Sequence, residues 1–161
     1  MALGNVSIYS PGGNNLPPAQ LFRTEAAGTA INAGEPVQIG GTGRNYVIPL
    51  ADAEPTTTET MLGIASTTST QTASADGVVY VQLCLPGIIY QCLATTPANV
   101  NTDAELLAIL NDRVAFDLAA GVYTVDENQG DANTNGLTII GGDISTGMIY
   151  FFVREVCTDL Y

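Results

Sequence analysis

A chain of 161 residues that is 46% hydrophobic and only 12% charged has the apolar surface for one folded core, which a disordered chain lacks. Four arginines and no lysine stand against 16 acids, a net charge of −12, so there is no basic patch of the kind that nucleic acid or an anionic membrane surface requires. The absence of histidine excludes Ser-His-Asp and Cys-His nucleophiles and histidine metal ligands, and the absence of lysine excludes Schiff-base chemistry and the Walker lysine.

No apolar run is long enough to span a bilayer. The opening MALGNVSIYSPGGNN has neither the basic n-region nor the long apolar h-region of a secretory signal. Cys84, Cys92 and Cys157 are an odd set at irregular spacing, fitting neither a disulfide framework nor a zinc pattern. They read as small buried hydrophobes in a protein made in a reducing cytoplasm.

Residues 1–22 read as an extended N-terminal arm. SPGGNNLPPAQ sets Pro11, Pro17 and Pro18 among glycines and asparagines, which disfavours both helix and central strand. Apolar spots at Val6, Ile8, Tyr9, Leu16, Leu21 and Phe22 are the candidate anchors by which such an arm contacts a partner. Residues 23–161 read as a single β-rich domain.

Short strands come next, cut by turn residues. EPVQIGG alternates at Val37 and Ile39, and NYVIPL ends at Pro49, a mark of a strand edge or end. In MLGIAST, Gly63 between Leu62 and Ile64 signals a bulge or a close backbone approach. Asp76-Gly77 launches VVYVQLCL, apolar on both faces, and Pro86-Gly87 turns the chain into IIYQCL. The Thr/Ser-rich stretches 51–63 and 65–77 read as polar loop or surface strand. Such spacing favours a small β-barrel or β-sandwich.

NTDAELLAILNDR predicts one short helix, with Thr102 or Asn101 as N-cap and Leu106, Leu107, Ile109 and Leu110 as its apolar stripe. RVAFDL, GVYTV, LTIIGGD and MIYFFVREV read as further strands. Residues 143–147 read as a turn, and Met148 to Val156 as a central strand. DENQGDANTNG, residues 126–136, is dense in acid, and Asp126, Asn128 and Asp131 are candidate calcium ligands. Gly130 falls fifth where a calcium loop needs it sixth, and no closing acid comes after it, so a hairpin loop tip fits better. No carboxylate pair stands out as acid and base, no cofactor motif is present, and the chain reads as a non-enzyme.

From 27 to 90 the order AGTAINAGEPVQIGG, VIPLADA, MLGIAST and ADGVVYVQLCLPGIIY resembles the core of capsid decoration, or cement, proteins of tailed bacteriophages. The resemblance implies a small β body, residues 23–95, that forms a homotrimer on the outer surface of a phage head and bridges major capsid subunits. Residues 96–161 then add a helix and further strands. It implies a virion location after synthesis in the host cytoplasm. The other reading is a carbohydrate-binding virion fibre or bacterial surface β-domain, for which exposed tyrosines such as Tyr46, Tyr123 and Tyr161 are the candidate platform.

Overall fold

Glycine and proline decide where strands begin and end in this chain. The computed structural model describes residues 6–10 and 16–159. At the corner Asn32–Glu35 the Glu35 N–H donates to the Asn32 carbonyl at 3.1 Å, and Gly34 supplies the φ of 92° that this turn needs. The Glu35 carboxylate folds back to accept from Asn32 N at 3.0 Å and Asn32 Nδ2 at 2.7 Å. Pro86-Gly87 turns in the same manner, with Gly87 at a φ of 83° and Ile88 N donating to Leu85 O.

Strands β2 (Ala19–Thr24), β3 (Pro36–Ile39), β4 (Val47–Pro49), β5 (Gly63–Ala65) and β6 (Gly77–Leu83) form one antiparallel sheet in the order β2-β6-β5-β3-β4. Gly63 is obligatory there, because a Cβ at its position would lie 2.1 Å from the Gln82 carbonyl oxygen of the neighbouring strand. The sheet curls until its outer strands meet at one bridge, Arg23 to Tyr46, with Arg23 N donating to Asn45 O at 2.8 Å. Inside the curl sit Ile31, Val37, Val47, Leu62, Ala65, Val79, Val81 and Leu83.

The second sheet joins β1 (Ser7–Ser10), β7 (Ile89–Leu93), β12 (Met148–Val153), β11 (Leu137–Asp143) and β8 (Arg113–Val114), in the order β1-β7-β12-β11-β8. A hairpin of β9 (Phe116–Ala119) and β10 (Val122–Val125) lies beside it. The larger core fills the space between these layers. Phe116 meets Tyr123 and Phe151 edge-on at 5.9 and 5.6 Å, and the Tyr123 hydroxyl donates to the Leu50 carbonyl. The class is therefore mainly β with one short helix, as expected, built as two curved five-stranded sheets, with no closed barrel among the described residues.

Helix α1 (Asp103–Ala108) starts where Thr102 caps it: the hydroxyl oxygen accepts from Glu105 N and the hydroxyl donates to Glu105 Oε2 at 2.8 Å. Its expected stripe needs correction. Ile109 and Leu110 pack on the core, but Leu107 is 66% exposed, because a helix this short seats its apolar face only through its last turn and the residues just beyond it.

The expected arm also changes. Residues 7–10 pair with β7 and residues 19–24 pair with β6, so the 22/23 boundary falls inside a strand. The reason is edge satisfaction: each segment covers the open side of an inner strand. Residues 1–5 and 11–15, and the platform candidate Tyr161, lie outside the described residues. Strand β6 is not apolar towards the core on both faces, since Val79, Val81 and Leu83 point in while Val78 and Tyr80 are exposed. Nor is 126–136 a hairpin tip: β10 pairs with β9, β11 pairs with β12 and β8, and the segment is a crossover packed on the body.

The far end of the chain is tied in as well. Met61 N donates to Cys157 O at 2.9 Å, Asp159 N donates to Met61 O at 3.1 Å, and the Asp159 carboxylate accepts from Ile39 N at 3.0 Å.

Candidate functional site

The six apolar residues expected to contact a partner divide into two groups. Val6 is 2% exposed and belongs to the larger core, Ile8 packs against that core beside Tyr90, and Phe22 packs on the smaller one. Tyr9, Leu16 and Leu21 are exposed. Leu16 stands at a cleft of about 350 Å³ lined by Val6, Ile8, Ala33, Ile64 and Gln82. Tyr9 and Leu21 lie on different sheets, so the three do not make one patch.

What gathers instead is a face. On the outer side of the β1-β7-β12-β11 sheet, β7 presents Ile89, Gln91 and Leu93, and β12 presents Met148, Tyr150 and Phe152. Strand β11 adds Thr138 and the bulged Ile140, and β1 adds Ser7 and Tyr9, whose ring stacks on Tyr150 at 4.1 Å. None of these side chains is charged; Arg113 of β8, opposite Thr138 on the same side and paired with Asp131, bounds this four-strand face at the β8 edge. Asp143, opposite Met148, closes the face at the hairpin end, where Ser145 N and Oγ donate to its carboxylate and hold it below the usual range. In a chain of net charge −12, a sheet face without ions is the part of the surface that can be covered at least cost in desolvation.

A smaller exposed group lies on the other sheet. Leu21 is opposite Tyr80 and Arg23 opposite Val78. Arg23 reaches Asp76 at 3.0 Å and stands over the Tyr46 ring at 5.0 Å. Asp76 also accepts from the Tyr46 hydroxyl at 2.6 Å and from Ala26 N at 3.0 Å. The Tyr46 bond, first, and the Ala26 bond hold the Asp76 carboxyl below its ordinary range, and the same Tyr46 bond raises Tyr46. Of the other expected platform tyrosines, Tyr123 is buried at 1% exposure and is no stacking surface.

The acidic segment does not converge on an ion. Asp126 accepts from Asn128 N, Asn128 bonds Asn99, Thr96 and Glu127, and Asp131 is occupied by Arg113, so the three candidate ligands face different partners. Among the described residues no group of three or more His, Cys, Asp or Glu gathers as a metal ion would need. The three cysteines are buried and none is in a disulfide; Cys92 Sγ donates to the Tyr123 carbonyl at 3.2 Å, and burial pushes the Cys84 and Cys92 thiols up to about 12. No described helix is long and apolar enough to cross a membrane.

No protein-family model matches this chain, and no curated protein matches it in sequence.

The uncharged face was not singled out from the sequence, although a signal was present. PGIIYQCLA and GMIYFFV carry no charged residue, and both alternating sets of positions in each are apolar or neutral. A strand buried on one side only has polar, usually charged, residues on its other side.

Proposed function

We propose that this protein is a structural capsid decoration, or cement, protein that binds the outside of a phage head. In this reading it acts as a homotrimer, bridges neighbouring major capsid subunits and works without catalysis. The observation that carries the reading is the uncharged outer face formed by Ile89, Leu93, Met148, Tyr150 and Phe152 on a molecule of net charge −12. Charge keeps free copies soluble and apart, and the neutral face is the surface to be covered once a lattice site exists. Several modest contacts per copy, multiplied by the copies in an oligomer, then give firm attachment. The N-terminal segment contributes Tyr9 and Leu16 from the body's own surface rather than as a free arm.

The test is a mass measurement in solution together with occupancy on expanded, DNA-free heads built from the major capsid protein of the same phage. A trimer that saturates the heads, with occupancy lost in Phe152→Glu, is the expected result. A monomer that ignores heads and melts higher in the presence of glycans overturns the reading in favour of a carbohydrate-binding domain.

A further inference from the structure

Two acids are buried among the described residues, and they are treated differently by the fold. Glu35 has both carboxylate oxygens satisfied by Asn32. Glu127, 5% exposed, has one oxygen accepting from Thr96 N at 3.0 Å and Asn128 Nδ2 at 2.9 Å, while its Oε2 is buried with no partner. An unpartnered buried carboxylate oxygen is costly, and such a group marks a place where a donor is missing.

Glu127 lines a cleft of about 280 Å³ with Asn99, Glu105, Ala108, Ile109 and Asn128. Glu105 brings a second carboxylate, and Ala108 with Ile109 gives an apolar wall. Among the described residues no cation is placed there. The chain has no lysine or histidine, Arg23 is with Asp76, Arg113 with Asp131, and Arg154 donates to the Asn133 and Asn135 carbonyls. Arg44 lines a different cleft with Gln38 and Asp159. A calcium ion needs six or more oxygens, and one of the few here, Asn128 Oδ1, already accepts from Asn99 Nδ2 at 2.7 Å. An ammonium group needs three acceptors and tolerates an apolar wall along its methylene stem. The cleft lies towards the hairpin end of the β11-β12 pair, on the core side of that sheet: Leu106 of α1 reaches Gly142 of β11, opposite the core-facing Ile149, and Pro97 lies against Gly147 in the turn before Met148.

We propose that the Glu105–Glu127 cleft receives an ammonium group, a lysine side chain of the protein to which this molecule attaches. The occupant's identity as a capsid subunit rests on the decoration reading; the lysine chemistry does not.

Two measurements test it on the full chain. In the first, Nα-acetyl-lysine amide, the neutral norleucine analogue and calcium chloride at matched ionic strength are titrated while the Ile109 methyl and the Asn99 and Asn128 side-chain amides are followed by NMR. Saturable shifts with the lysine derivative, about tenfold weaker with norleucine and in a folded Glu127→Gln variant, are expected. No saturable shift, equal shifts from norleucine or in Glu127→Gln, or a stronger response to calcium overturns the proposal. In the second, occupancy on DNA-free heads is compared for wild type, Glu127→Gln and Glu105→Gln across a salt series. Weaker, less salt-sensitive attachment of both variants supports the capsid lysine. Unchanged attachment overturns that role, whereas a wild type that takes the lysine derivative but ignores heads overturns the decoration reading and leaves the cleft's chemistry standing.

Discussion

Tyr9 and Tyr150 stack with ring centroids 4.1 Å apart and planes 18° from parallel, which binds an exposed residue of the first strand to the middle of the neutral sheet face. The pair does two things at once: it fastens an edge strand and it completes a surface. Tyr9→Ala is expected to cost about 1 kcal/mol of stability, the usual worth of an aromatic pair. Its effect on head occupancy should exceed that of Leu107→Ala, an apolar change at a still more exposed position away from the face. Urea unfolding and head binding, run in parallel on both variants, check this.

Val6 carries a second prediction. It is buried at 2% exposure and its N–H donates to Gly34 O at 3.1 Å, so Val6 belongs to the core and not to an appendage. Val6→Ala should lower stability by about 1–2 kcal/mol, in the range for deleting buried methyl groups. Removal of residues 1–20 should destabilise the body further by opening the β7 edge. An unfolding midpoint that stays put after the truncation would restore the view of a free arm.

Gly63→Ala tests the close approach of β5 to β6. The added methyl meets the Gln82 carbonyl oxygen at 2.1 Å and the Val81 side chain at 2.9 Å, and backbone on a paired strand has little room to give. Loss of several kcal/mol, or failure to fold, is expected. Gly87→Ala is the control, since open space surrounds that position and only its φ of 83° resists a side chain. It should cost about 1 kcal/mol.

Asp131 gives a pH signature. Its carboxylate accepts from the Arg113 side chain first and from Arg113 N at 2.9 Å, which lowers its pKa to about 2. A depressed carboxyl stabilises the fold above the ordinary aspartate range, and that contribution is lost as pH falls through the ordinary value towards about 2. Asp131→Asn should therefore be less stable than wild type at pH 7, with the gap closing between about pH 4 and pH 2. A gap that is constant over that range would show that packing, not charge, is what the substitution removes.

The parts of the fold governed by local chemistry were legible in the residues. Gly34, Gly63, Asp76-Gly77 and Pro86-Gly87 announced their corners, Thr102 announced the helix start, and MIYFFV announced a central strand. What escaped was pairing across distance. Nothing near Ser7–Ser10 indicates that it lies against Ile89–Leu93, because proline and glycine on one side of a strand say where it stops and not whom it meets. The same holds for the site. The neutral face is written in four strands from three separate parts of the sequence, and Glu127 looks like any surface acid until the 95–99 segment and α1 are folded against it.

The strand order also dictates a sequence of assembly. Every strand of the β2-β6-β5-β3-β4 sheet lies within residues 19–83, so that sheet can pair while the rest of the chain is still on the ribosome. The other sheet cannot. Ser7–Ser10 can pair with Ile89–Leu93 early, but the middle strand that joins this pair to the rest of the sheet is Met148–Val153. The neutral face therefore comes into being only once Met148–Val153 has been made. Until that strand emerges, a nascent chain displays one finished sheet beside apolar strands with an open edge, and this is the interval in which chaperone protection matters most.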